Sequence, residues 1–125
     1  MVHAVSVSID VGDLEQAIAF YEAALSCLLV KKISTSWAVL VLGEMDIHLL
    51  EKQEGTIGAA EQRRHYARHW TPVHLDFGVA NVDAVSERVK RFGGSVEGIH
   101  KADIADIAHC ADPFGNGFCL IREVI

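Results

Sequence analysis

Val5, Val7, Ile9 and Val11 alternate with Ser6, Ser8 and Asp10 at the start of the chain. This period of two predicts a strand with one apolar and one polar face. Asp13 then stands as a helix cap, with Gln16 three residues on in capping-box position. Leu14, Ala17, Ile18, Tyr21 and Leu25 recur at helical spacing, a stripe suited to cover the strand's apolar face. Two β-like runs follow, Cys27 to Ile33 and Trp37 to Leu42, and a third from Asp46 to Glu51 in which His48 faces away from Ile47 and Leu49. The order to this point is β-α-β-β-β.

A polar interval runs from Lys52 to about Thr71, broken by Gly55 and Gly58. Within it, residues 59 to 69 are expected to form a short helix. Arg63, Arg64, His65, Arg68 and His69 make the interval the most basic part of the chain. They read either as a solvated connection or as a rim that meets an anionic group. The opening pattern then returns. Val73, Leu75, Phe77 and Val79 alternate with His74, Asp76 and Gly78; Asn81 caps a second helix; Val82, Val85, Val89 and Phe92 form its stripe; and Gly93-Gly94 ends it. Ser95 to Ile99, Ile107 to Ala111 and Phe118 to Glu123 complete a second β-α-β-β-β unit. Before the last strand, Asp112-Pro113 suits the start of a tight turn, and Asn116-Gly117 supplies residues that tolerate positive φ.

The halves superpose in sequence: Ser6 falls on His74 and Asp13 on Asn81 at a shift of 68, and His48 on Cys119 at a shift of 71. A period this long, present twice, is an internal duplication rather than a solenoid. The expected architecture is α+β, one domain over residues 1–125, with module one at 1–51, a linker at 52–71 and module two at 72–125.

Charge and cysteine usage narrow the function classes. Seventeen acids against eleven bases give a net charge of −6, which argues against nucleic acid as a partner. No apolar run approaches the ~20 residues that span a bilayer, and the first residues lack the basic and apolar regions of a signal peptide. Cys27, Cys110 and Cys119 are odd in number and form no C-x-x-C pair, so a reduced, cytoplasmic setting is expected.

Among side chains able to carry chemistry, Asp76 lies two residues from His74 on one strand face. It can orient an imidazole or act as a base, or pair with a cation across the sheet. Trp37 and Phe114 can wall a cleft. His109 and Cys110 are adjacent and so point to opposite faces.

The stretches Val11-Gly-Asp-Leu-Glu-Gln-Ala-Ile-Ala-Phe-Tyr21, His74-Leu-Asp-Phe-Gly-Val-Ala-Asn-Val-Asp83 and Asp112-Pro-Phe-Gly-Asn-Gly-Phe-Cys-Leu120, in this order and spacing, resemble the vicinal oxygen chelate superfamily. That group contains glyoxalases, extradiol dioxygenases and bleomycin-resistance proteins. The resemblance implies two βαβββ modules whose sheets curl around a small-molecule cleft, within a homodimer. In its metal-dependent members, ligands come from the first and last strands of each module. The matching positions here are Ser6, His48, His74 and Cys119, of which His48, His74 and Cys119 can ligate and Ser6 is better placed beside a bound molecule. Two imidazoles and a thiolate suit one divalent zinc, iron or nickel ion, with manganese a further option from the resemblance. Equally, the two histidines can be hydrogen-bonded cleft residues and Cys119 a small buried apolar one. The resemblance therefore implies either metal-assisted lyase, isomerase or dioxygenase chemistry, or sequestration of a ligand without catalysis.

Overall fold

A computed structural model describes residues 1–123. Its elements are β1 (Val7–Val11), α1 (Leu14–Leu25), β2 (Leu28–Ser34), β3 (Trp37–Leu42), β4 (Met45–Glu51), β5 (Leu75–Gly78), α2 (Val82–Arg91), β6 (Ser95–Lys101), β7 (Ala105–Ala111) and β8 (Gly117–Glu123). They form two four-stranded mixed sheets, ordered β1-β4-β3-β2 and β5-β8-β7-β6. In each, the first strand pairs parallel with the last and the other pairs are antiparallel. The tandem βαβββ duplication therefore stands.

Strand register carries the duplication down to single residues. Ser8 pairs with His48 in the first sheet, and Asp76 with Cys119 in the second. These are the same two positions at the shifts of 68 and 71.

Each helix begins where its cap dictates. The Asp13 carboxylate accepts from the Gln16 N–H at 2.9 Å, and the Asn81 side chain from the Ala84 N–H at 3.0 Å, satisfying donors that a helix start leaves free. Ser26 in the left-handed region closes α1. Gly93, at φ 100°, follows α2, and the chain then passes close to β7. A Cβ on Gly94 would lie 2.7 Å from the Ala111 carbonyl oxygen, so only glycine fits there.

One core joins both modules. Leu14, Ala17, Ile18, Phe20, Tyr21 and Leu25 of α1 are buried with Ile9, Val11, Leu40, Ile47 and Leu49. The same cluster continues through Val82, Val89, Phe118 and Leu120. Phe20 meets Phe118 across the modules at 6.3 Å between ring centres. Full burial of side chains this large contributes about 1.5–3 kcal/mol each. The α2 stripe differs from expectation at its end. Val82, Ser86 and Val89 are buried, whereas Phe92 lies outside the helix, partly exposed between the Arg88 and Arg91 guanidiniums.

Two other local expectations are corrected. Residues 59–69 form no helix. Ile57 bridges Arg63, Ala60 and Glu61 take positive φ, and the Gly55 N–H donates to the Arg64 carbonyl at 2.8 Å. The segment has no apolar stripe to bury. Its arginines instead donate to backbone carbonyls, Arg63 to Gly55 and Arg64 to Ile57. In the closing turn, the Gly115 N–H donates to the Asp112 carbonyl at 3.1 Å as expected, but the positive φ falls on Gly115 (79°) rather than on Asn116 or Gly117.

Candidate functional site

The helices cover one face of each sheet and leave the other, polar face open. On the second sheet a row of chemistry-bearing side chains crosses this open face. Asp76 on β5 is opposite Cys119 on β8, which is opposite His109 on β7, and residues paired across strands project to the same side. His74 immediately precedes β5, two residues from Asp76. Its Nδ1 lies 3.0 Å from Asp76 Oδ1. Cys119 Sγ lies 3.5 Å from His109 Nδ1. His74, Asp76 and Cys119 each offer a donor atom, and these atoms all lie within 4.8 Å of one another.

The environment sets the state of these groups. Cys119 is 5% exposed. Burial chiefly raises its thiol pKa, and Asp76 adds to the rise through its charge and a hydrogen bond, against the opposing pull of Arg68. The metal-free thiol is therefore protonated at neutral pH. Cys110 belongs to the opposite, helix-covered face, and burial pushes its thiol up to about 12. Trp70 leans over His74, with ring centres 5.6 Å apart. Arg68 closes the row from the connecting segment, bound at 2.6 and 3.1 Å to both Glu97 oxygens. That pairing holds the Glu97 carboxyl below its usual range.

Two cavities meet at His74. The larger, about 340 Å³, runs between the free edge of β1 and the start of β5, lined among others by Ser8, Asp10, His69, His74, Asn116 and Phe118. The smaller, about 10 Å³, lies among Arg68, Trp70, His74, His109 and Cys119. A bound molecule in the first would have His74 at its wall, with Cys119 in the adjoining smaller cavity.

The sequence-derived candidates separate into groups. His74, Asp76 and Cys119 come together. His48 stands on the first sheet, opposite Ser8 and Val39, and its Nδ1 accepts from the Trp37 indole N–H at 3.0 Å; it is not part of the second-sheet cluster. Ser6 is exposed just ahead of β1. Phe114 is 8% exposed, in the core beside Tyr66, and lines neither of these two cavities.

Sequence reading missed His109, Arg68, Trp70 and Glu97 as neighbours of this cluster. For His109 the signal was present: a hairpin turning at residues 112–116 pairs positions whose numbers sum to 228, hence 109 with 119. For Arg68 and Glu97 no short-range signal exists.

The donor set itself bears on whether a metal fits. An imidazole, a carboxylate and a thiol stand in a shell slightly wider than the one a tetrahedral ion with bonds of about 2.0–2.3 Å would draw together. Side-chain rotation closes that difference, so these residues fit a divalent transition metal. Sulfur favours the softer ions over manganese or magnesium. The His74–Asp76 pair also has the form of an imidazole whose second nitrogen is held by a carboxylate.

A glyoxalase-like domain family model matches residues 6–121. Sequence comparison with curated proteins finds no match. Among solved structures, a FosX fosfomycin resistance protein variant from Listeria monocytogenes, in complex with Mn(II) and dihydroxypropylphosphonic acid, is similar. It is 17% identical with a TM-score of 0.73, over 96% of this chain and 90% of that one. A glyoxalase/bleomycin resistance protein from Albidiferax ferrireducens is 23% identical, TM-score 0.69, over 94% and 96%. Lactoylglutathione lyase from Agrobacterium tumefaciens is 21% identical, TM-score 0.64, over 96% and 92%.

Proposed function

As this chain belongs to the glyoxalase-like family of the vicinal oxygen chelate superfamily, we propose that it binds a small molecule with adjacent oxygen atoms in the cavity between β1 and β5, beside a divalent metal held by His74, Cys119 and Asp76. The observation that carries this reading is the convergence of three donor types within 4.8 Å of one another, one of which, His74, also lines that cavity. When bound, the ion would act as a Lewis acid toward adjacent ligand oxygens, which serves lyase, isomerase and dioxygenase chemistry alike. The protein's own part is positional. Asp76 fixes the His74 ring through Nδ1 and leaves Nε2 free. Trp70 limits water on one side, and His109 stands ready to take the Cys119 proton that a bound cation displaces.

The thiol ranks zinc first among zinc, iron, nickel and manganese. Millimolar zinc should raise the thermal midpoint of chelator-treated protein by several degrees, and manganese by much less. No shift with any of the four ions would remove the metal from this reading. A metal-free sequestering role draws on a different observation: His74–Asp76 and Cys119–His109 are already paired without an ion. Under that role cations are silent while a cavity ligand still shifts the midpoint.

The protein's partner is a second copy of itself. Leu28 and Val30 on the edge strand β2 are 67% and 62% exposed, a pairing-prone edge if left bare. Sedimentation at twice the chain mass is expected, and a monomer at micromolar concentration would contradict it. No helix among the described residues is long and apolar enough to cross a membrane. The cysteines are free, and a cytoplasmic setting accords with that.

A further inference from the structure

The second sheet carries one irregularity beside the cluster. Between β6 and β7 the register runs Val96 to Cys110 and then Gly98 to His109, so Glu97 is the extra residue of a β-bulge. Such bulges re-aim side chains next to functional sites. This one brings the Glu97 carboxylate onto Arg68, which lines the small cavity with His74, His109 and Cys119.

Each nitrogen of the Arg68 guanidinium makes a hydrogen bond. Its Nε and one terminal nitrogen donate to the two Glu97 oxygens, and its other terminal nitrogen donates to the His69 carbonyl. The guanidinium also lies against Gly117, where a Cβ would come within 2.8 Å of it. Among the described residues it is the only Arg or Lys lining either cavity at the cluster. The other guanidinium near the β1 edge, Arg64, is similarly held, by Asp10 at 2.7 Å and by the Ile57 carbonyl at 2.8 Å. Of the full charges facing the cluster, the Asp76 carboxylate alone has no arginine or lysine partner among the described residues. Farther along the same face, Asp76 and Glu123 line a further open cavity with no basic residue among the described lining.

We infer that Glu97 sets the charge of the ligand. By holding Arg68 it withdraws the one arginine or lysine side chain among the described lining residues, so the side chains of this face favour neutral or cationic small molecules and discriminate against phosphates and carboxylates. Arg68 is a latent anion receptor, uncovered when Glu97 loses its charge. Discrimination of this kind comes from withheld partners as much as from favourable contacts. The inference rests on the small-molecule reading of this cavity and adds the ligand's charge class to it.

The test uses three probes that share a vicinal diol: 3-aminopropane-1,2-diol, propane-1,2-diol and glycerol 3-phosphate. Each is titrated by ligand-observed NMR against the full chain and against Glu97→Gln. Wild type should bind the aminodiol tightest and glycerol 3-phosphate weaker by roughly tenfold or more, a gap that narrows with added salt. Glu97→Gln should reverse the order, and the double variant Glu97→Gln with Arg68→Gln should abolish the reversal. Circular dichroism confirms that each variant is folded. If Glu97→Gln fails to fold, Arg68→Gln decides instead, by strengthening aminodiol binding. Equal or tighter glycerol 3-phosphate binding to wild type would overturn the inference and leave the cavity reading intact. So would an unchanged order in a folded Glu97→Gln. Silence of all three probes with every folded protein would overturn both.

Discussion

Asp112→Ala should lower the unfolding free energy by about 3–5 kcal/mol in urea denaturation, a large share of a small domain's total. Asp112 is 4% exposed and belongs to the closing turn. Its carboxylate accepts from the Tyr21 hydroxyl at 2.7 Å, the Asn116 side-chain amide at 2.9 Å, and the N–H groups of Phe114 and Asn116 at 2.8 and 3.0 Å. Burial pushes the Asp112 pKa up, while the Asn116, Tyr21 and Phe114 bonds oppose that rise. Truncation would strand the Tyr21 hydroxyl, which is buried in α1 on the far module, and would untie the turn. The Asn116 amide also donates to the Asp10 carbonyl at 3.0 Å, so the same loss loosens the edge of β1 beside the ligand cavity. Tyr21→Phe should cost less, about 1–2 kcal/mol, because Asp112 keeps three donors. Equal costs for the two variants would show that the Tyr21 hydroxyl bond alone accounts for the carboxylate's contribution and that its bonds within the turn add nothing.

Cys119→Ser should weaken zinc binding at least about 100-fold in a chelator-competition titration, since it replaces a ligand rather than a group supporting one. Cys27→Ser and Cys110→Ser should leave zinc affinity unchanged. Cys110 lies on the helix-covered face, and burial pushes the Cys27 thiol up to about 11. Zinc affinity in wild type should rise with pH, because the raised Cys119 thiol must lose its proton on coordination. Asp76→Asn separates its two possible roles. A loss near tenfold marks a residue that orients His74, and a loss near that of Cys119→Ser marks a ligand. Unchanged affinity in Cys119→Ser would place any bound zinc elsewhere.

Much of the fold was legible because alternation is a local signal. Val7, Ile9 and Val11, and again Leu75 and Phe77, announce their strands, and Asp13 and Asn81 announce the helix starts. The duplication did more than any motif: shifts of 68 for the first strands and 71 for the last match the two modules residue by residue. What stayed hidden depends on long-range or irregular structure. The stretch 59–69 has helical composition, but its shape is decided by Arg64 reaching Asp10 and Arg68 reaching Glu97, 54 and 29 residues away. Nothing in Ser95-Val-Glu-Gly-Ile99 marks Glu97 as a bulge residue. Phe114 reads as a cleft wall from its aromatic type alone, and a single sequence does not show that the turn folds inward and buries it beside Tyr66. His48 was grouped with His74 and Cys119 by analogy of position. Within one chain the two sheets are separate, and Trp37 already occupies its Nδ1.

The central claim is that the open face of the second module is a thiolate-containing metal site, and cobalt(II) titration of chelator-treated protein tests it most directly. Cobalt substitutes for zinc in such donor sets and absorbs intensely when a thiolate coordinates it. The account predicts a thiolate-to-cobalt charge-transfer band that saturates at one ion per chain, is displaced by zinc, and is absent from Cys119→Ser. A wild-type protein that shows no such band at saturating cobalt, or a band that survives in Cys119→Ser, would contradict it.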